Sequence, residues 1–485
     1  MSRTRRTLRW AAAASAVALT ATGCNLVGSG EDDSGNDDAS GENVTITVAL
    51  VPDPPGASEF YRAQFDRFEE DNPGVTVDVV ENPTDQQLGA VELMFQQGDP
   101  PDVFRAQAEG FDRMYERGWT HSLEEFVTDE FLDRFPEGTM DPATSGLHRD
   151  GELSTLPLVT GKWDVRVLIY NAAVLRDNGY DAPPETWGEL EEMAATITQN
   201  GGGSVFGYAP ASGKAIAVEI LAQTAVPYSV VGDGIDLRTG QPATASPGMV
   251  EAVELHRRMQ ANGVMVPGWE SWDGARAFTE FAAGTIAMYP SAPWHVAEIR
   301  KLNPEIELGI AALPVPDEGR GGYTPMKQSF SPIWSMSAET EHPEQAWAVM
   351  DFLASEDFHR AYYEEFGTLT AVESAWADQA AENPDQSAIL EVAEEGMRLV
   401  PNPALAGPGG AAILQARAQR PELKHTDAAV DAIINDKPFL PIAQALDQQL
   451  QAFLDETLAG LSGTATIEDI TFPGWDPLEN YTPEQ

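Results

Sequence analysis

Three stretches carry side chains suited to gripping a polar ring. Trp269 and Trp272 flank Glu270 in a polar loop, with Asp273 and Gly274 close behind. Arg105, Gln107 and Glu109 follow the apolar pair Val103-Phe104. Tyr208, Ser212 and Lys214 follow another strand-like run, Val205 to Ala209. Aromatic rings suit apolar C–H faces, while carboxylates, amides and cations suit hydroxyls. Loops at strand ends are where α/β folds collect such groups. Gly407-Pro408-Gly409-Gly410 precedes a helical run whose N–H groups could meet a ligand oxygen, although a plain loop is the simpler reading.

Catalytic patterns are missing. There is no Gly-x-Ser-x-Gly elbow, no His-Glu-x-x-His and no phosphate-binding glycine loop. The seven histidines include no i, i+4 pair, and a lone cysteine excludes thiolate metal sites and disulfide frameworks. Carboxylate pairs of the glycosidase kind would arise by chance among 77 acidic residues. No cofactor is expected. A formal charge of −48 would repel nucleic acid and anionic lipid head groups.

The elements that must position these groups alternate. Val44 to Leu50 is β-branched and stops at Pro52, so it reads as a buried strand. Tyr61, Phe65 and Phe68 share one face of the helix that follows, and Asn72-Pro73-Gly74 ends it. Val75 to Val80 is a second strand, Leu88 to Gln97 a helix, and Val103-Phe104 a short strand. Strand–helix–strand order implies a parallel sheet. The alternation resumes with strands at Val165–Tyr170, Thr285–Tyr289 and Ile306–Leu313. Helices run from Thr186, whose capping box with Glu189 marks a start, and over Met249–Gln260, Pro343–Leu353 and Glu356–Glu365. Further helices reach Leu458, and Gly463 to Gln485 reads as irregular chain. A length of 485 residues fits two or three domains.

The first 23 residues read as an export signal: Arg3, Arg5, Arg6 and Arg9, then a short apolar run from Trp10 to Ala21. Thr4-Arg5-Arg6-Thr7-Leu8 is compatible with a twin-arginine signal or with an ordinary basic region. Ala21-Thr22-Gly23-Cys24 resembles a lipobox, with Ala21 where leucine is usual, so Cys24 is the expected lipidation site. Residues 24–43 would form a lipid-anchored acidic tether, of which residues 28–42 span roughly 20 Å as a random coil.

Six stretches, in order, resemble the extracellular solute-binding proteins of family 1, the maltose-binding-protein-like sugar receptors of ABC importers. They are FYRAQFDRFEEDNPGVTVDVV (60–80), PPDVF (100–104), LPLVTGKWDVRVLIYNAAVLRDNGYDAPPETWGEL (156–190), FAAGTIAMYPSAPW (281–294), GIAALPVP (309–316) and HPEQAWAVMDFLAS (342–355). The resemblance implies an α/β, two-lobed, type II periplasmic-binding-protein fold with several hinge crossings. Lobe one would be 44–156 plus 315–365, lobe two 157–314 plus 366–475, and 476–485 a tail. It also implies a monomer without enzymatic activity on the outer face of the membrane, a carbohydrate ligand and a membrane permease as partner. A secreted glycoside hydrolase or lyase is the alternative, and a protein-docking lipoprotein a third.

The resemblance further implies which residues face the ligand. Trp294 stands where the family has a stacking tryptophan, with His295 beside it on the rim or surface. Asp53 occupies the turn after the first strand, and Arg105, Gln107 and Glu109 an equivalent of another binding loop. Trp163 and Asp164 lie at the first crossing, and Tyr323 in a ligand-proximal loop. Tyr208, Trp269 and Trp272 complete the expected set.

Overall fold

The computed structural model describes residues 43–482, apart from positions 55, 85, 107, 211–215, 217 and 419–424. The expected export signal, the expected lipidation site Cys24 and the expected tether therefore lie outside the described residues, as do Gln107, Ser212 and Lys214. Residues 43–485 form one compact unit.

In chain order, β1 (Val44–Leu50), α1 (Ala57–Asp71), β2 (Val75–Glu81), α2 (Gln87–Gln97) and β3 (Val103–Arg105) come first, then α3 (Ala108–Glu116) and β4 (Leu156–Thr160). The chain continues through β5 (Val167–Asn171), α4 (Trp187–Gly201), β6 (Phe206–Tyr208), α5 (Pro247–Ala261), α6 (Gly274–Ala282), β7 (Ile286–Ser291) and α7 (Trp294–Leu302). After β8 (Leu308–Ala311) come β9 (Thr324–Met326), β10 (Phe330–Met336), α8 (Pro343–Leu353) and α9 (Glu356–Phe366). The last are α10 (Pro384–Gly396), β11 (Met397–Leu399), α11 (Pro408–Ala418), α12 (His425–Ile434) and α13 (Phe439–Gly460).

Two sheets organise the molecule. The first has the order β2-β1-β3-β10-β4, the second β8-β5-β7-β6. β1 pairs in parallel with β2 and β3, as the strand–helix–strand pattern requires, and β10 runs antiparallel to β3 and β4. Burial explains the register. Ile46, Val48, Ala49 and Leu50 of β1 are sealed, and α1 lays Tyr61, Phe65 and Phe68 onto that sheet. In α4, Thr186 Oγ1 accepts from the Glu189 N–H at 3.2 Å, and the Glu189 carboxylate returns to the Thr186 N–H, so two orphan donors are satisfied. The two sheets and their flanking helices make a two-lobed α/β arrangement.

The crossings set the site. Leu156–Thr160 pairs with β10, so the first passage between sheets falls at 161–166. Backbone pairing holds those residues in the first sheet, which apolar patterning alone does not disclose. β9 and β11 pair in parallel as a separate ribbon beside this passage. The tail is also tied down: Phe472 N–H donates to the Leu237 carbonyl at 2.7 Å and Tyr481 N–H to the Leu399 carbonyl at 2.8 Å. Among the described residues no helix is long and apolar enough to cross a membrane.

Candidate functional site: a cleft at the crossings

A cleft of about 1410 Å3 opens where the crossing segments meet. Its walls come from α3, from the first crossing (Gly161, Asp164, Arg166), from the return into the first sheet (Lys327, Gln328, Ser331), from residues 216–244 and from residues 400–417. Small-molecule pockets usually measure ~300–1,000 Å3, so this one accommodates an extended ligand.

The polar groups on these walls divide into satisfied and unsatisfied. Arg149 is paired with Asp112, and Arg417 with Asp233. Arg166, in contrast, donates among the described residues to the backbone carbonyls of Asp164 (2.7 Å) and Val165 (3.3 Å). Lys327 Nζ sits 4.8 Å from the centre of the Tyr228 ring. Gln223 is 4% exposed, and its Nε2 has no partner among the described residues. Burial pushes the Glu219 carboxyl up to about 7, although Arg166 and Lys327 pull the other way. A near-neutral carboxyl can donate as well as accept. An unpaired amide, a poised carboxyl, two cations and the Tyr228 ring make a surface for hydroxyl groups on a flat ring. Their mixed charge does not favour an anion or a cation.

The sequence candidates are distributed differently from expectation. Asp164 is exposed and lines this cleft. Asp53 and Arg105 are brought together: Arg105 Nη1 donates to the Asp53 carbonyl at 3.2 Å. Arg105 is buried there, its Nε without a partner among the described residues, and burial pushes the nearby Tyr61 phenol up to about 12. Arg105 thus braces the turn that presents Asp53. Glu109 belongs to α3, but its side chain is outside the described set. Trp294 opens α7 and is 45% exposed, edge-on to Phe278 at 6.0 Å. Trp163 is half-buried against the core. Trp272 is half-buried, with the Arg276 guanidinium 5.9 Å from its ring centre.

Four other candidates have partners within the chain itself. Trp269 is 2% exposed and donates its indole N–H to Gln260 Oε1 at 3.0 Å, so α5 takes the ring that the polar loop suggested was free. Tyr208 is fully buried on β6, its hydroxyl 3.2 Å from His256 Nε2. His295 is not on the rim: it is buried, with Nδ1 between the hydroxyls of Tyr289 (3.0 Å) and Ser291 (2.7 Å). Tyr323 already carries the guanidiniums of Arg320 and Arg398 at 4.5 and 4.0 Å. The glycines at 407–410 do lead into α11, but the Asp469 carboxylate lies against Gly409, so the chain itself occupies that end.

Sequence reasoning missed Arg166, Glu219, Gln223, Tyr228 and Lys327. Arg166 lay two residues beyond the candidate Asp164, and Lys327 is one of only six lysines. Glu219, Gln223 and Tyr228 had no sequence signal, because they meet Arg166 and Lys327 only once segments distant along the chain have come together.

This geometry can be set beside known proteins. A maltodextrin-binding protein of Bacillus subtilis is 25% identical over 320 residues, which are 63% of this chain and 68% of that protein. A Brucella abortus protein named only as a binding protein is 26% identical over 324 residues, 66% of this chain and 75% of its own. The structure of the sugar-binding protein MalE from Xanthomonas citri superposes with a TM-score of 0.62 at 19% identity, covering 87% of this chain and all of that one. The bacterial extracellular solute-binding protein model matches residues 52–358, a span that contains the second sheet, every strand of the first except β1, and the passages between them at 161–166 and before β10. With that span matched and a ligand-sized cleft at its crossings, the chain belongs to the bacterial extracellular solute-binding protein family.

Proposed function

We propose that this protein is the extracytoplasmic receptor of an ABC importer, that it captures an oligosaccharide in the cleft, and that it passes the sugar unchanged to a membrane permease. The observation that carries the reading is the pairing of unsatisfied polar groups with aromatic rings around a cleft of about 1410 Å3. Hydroxyls of a sugar supply both donors and acceptors, so they can satisfy Gln223, Glu219 and Arg166 without burying an unpaired charge. The family membership supports the same reading, and so do relatives named for binding maltodextrin and maltotriose. Trp294, Asp53, Asp164 and Trp272 hold the ring faces and rim as the lobes shut. The sugar drives closure by its differential affinity for the shut state.

Calorimetry of the mature chain against linear oligosaccharides tests this. Submicromolar to micromolar binding with no product formed is the expected result, and Trp294→Ala should lose about 1–3 kcal/mol of it through lost burial and stacking. Turnover of any oligosaccharide would overturn the receptor reading, and unchanged affinity in the variant would remove Trp294 from the site.

The same proposal includes a diacylglycerol anchor on Cys24. Cys24→Ser should abolish incorporation of labelled palmitate and shift the protein from the membrane to the soluble fraction. Retention in the membrane fraction would count against the anchor.

A further inference from the structure

We infer that the C-terminal segment builds a second chamber of the cleft, which takes the end sugar of an extended oligosaccharide. The inference rests on the carbohydrate reading above. A separate cavity of about 380 Å3 adjoins the main cleft, and Lys327, Val400, Asn402 and Leu405 line both. Its remaining walls include Thr144 from the first-sheet side and Phe472 and Tyr481 from the tail. The tail lies beyond residues 52–358, the part matched by the family model.

The chamber is built rather than incidental. Tyr481 N–H donates to the Leu399 carbonyl, and Leu399 N–H donates to Asn480 Oδ1 at 2.8 Å, so the tail is tied to both polar groups of one residue of β11. Phe472 and Tyr481 meet edge to face at 5.5 Å. Trp475, 3% exposed, reaches the wall of the main cleft from the same segment, and its Nε1 has no partner among the described residues. The tail thereby contributes aromatic surface to both cavities.

The lining chemistry selects a sugar over an alkyl chain. Asn402 Oδ1 accepts from the Ala404 N–H, so its Nδ2 is the group that a hydroxyl would meet. Lys327 lines both cavities, and Thr144 is on the wall of the smaller one. A hydrocarbon would strip water from these groups and return nothing, whereas hydroxyls replace the lost hydrogen bonds. A volume of about 380 Å3 is near the lower end of ligand pockets, enough for an end unit but not for a whole chain.

The test uses the mature chain and two variants that act in opposite senses. Tyr481→Ala removes an aromatic wall, and Thr144→Trp fills the chamber. Malto-, cello- and xylo-oligosaccharides of two to six units are titrated by calorimetry. In the wild type, affinity should rise about tenfold or more between the disaccharide and the longer members of the binding series. Both variants should lose that increment and keep the disaccharide affinity. Tyr481→Phe should retain it, since the ring remains. If the variants preserve the long-to-short ratio, or the wild type shows no increment, the chamber is not a subsite while the receptor reading stands. If no saccharide binds the wild type, both readings fall.

Discussion

Lowering the pH from 7 to 5 should remove roughly 2 kcal/mol of folding stability for each of three buried histidines. Burial holds His256 down to about 4, and His295 and His359 down to about 3. The nearby charge of Arg166 adds to the effect at His295, and that of Arg134 at His359. In the unfolded chain these rings protonate near the ordinary value of about 6.5. Their contribution is therefore complete above pH 6.5 and is lost as the pH falls towards 3–4. His256 illustrates why. Its Nδ1 must donate to the Ala252 carbonyl at 2.7 Å, which leaves Nε2 as acceptor for the Tyr208 hydroxyl. A second proton would abolish that acceptor inside the core.

Glu219 works in the opposite sense. Its folded value of about 7 lies above the ordinary 4.5, so its contribution is largest below pH 4.5 and is lost as the pH rises to 7. It offsets about one histidine over the same interval. Relief of self-repulsion in a chain of charge −48 also favours the folded state on acidification. The informative quantity is thus a difference between variants. Both ring nitrogens of His359 are buried without partners among the described residues, so His359→Leu should flatten the acid limb by one histidine's share. Glu219→Gln should steepen it. Urea midpoints at pH 7.5, 6 and 5 measure both, and parallel limbs for wild type and His359→Leu would show that the ring is not the titrating group.

Gly161→Ala should destabilise the chain by about 1–3 kcal/mol and weaken sugar binding, although it adds one methyl group. Gly161 lies where two passages between the sheets run side by side, and its N–H donates to the Ser329 carbonyl at 2.8 Å. A Cβ there would meet the Gln328 carbonyl oxygen at 2.5 Å, and Met326 Cγ and the Ser329 carbonyl oxygen at 3.0 Å. Two of those atoms are backbone, so no rotamer relieves the clash. The crossing strands must part, and Asp164, Arg166, Lys327 and Gln328 on the cleft wall move with them. Gly89→Ala is the control. It lies in α2 with nothing within 4 Å of the added carbon, and it should be neutral or stabilising by up to ~1 kcal/mol. Denaturant midpoints and calorimetry report the two effects separately. Equal behaviour of the two alanine variants would mean that the crossing is loosely packed.

Much of the scaffold was legible beforehand because it depends on local pattern. The helical face of Tyr61, Phe65 and Phe68, the Thr186–Glu189 box and the limits Pro343–Leu353 each follow from periodicity or capping within a few residues. β10 was not legible. FSPIWSM carries a proline that donates no N–H, and its register shifts on either side of Pro332, yet it sits between β3 and β4. Only its partners make it a strand.

The site divides in the same way. Amino-acid pattern by itself determined alternating α/β elements and a set of aromatic and polar loop residues. Tertiary structure decided which of those residues a ligand can reach. It closed α5 over Trp269 and brought His256 to Tyr208, removing both from solvent. It set Arg166 and Lys327 beside a half-sealed Glu219, and left Gln223 with an unspent donor. Side-chain type and spacing encode what a group can do. Burial and partners depend on segments that meet only after the chain has crossed between the sheets, so the choice of working residues is a property of the folded molecule.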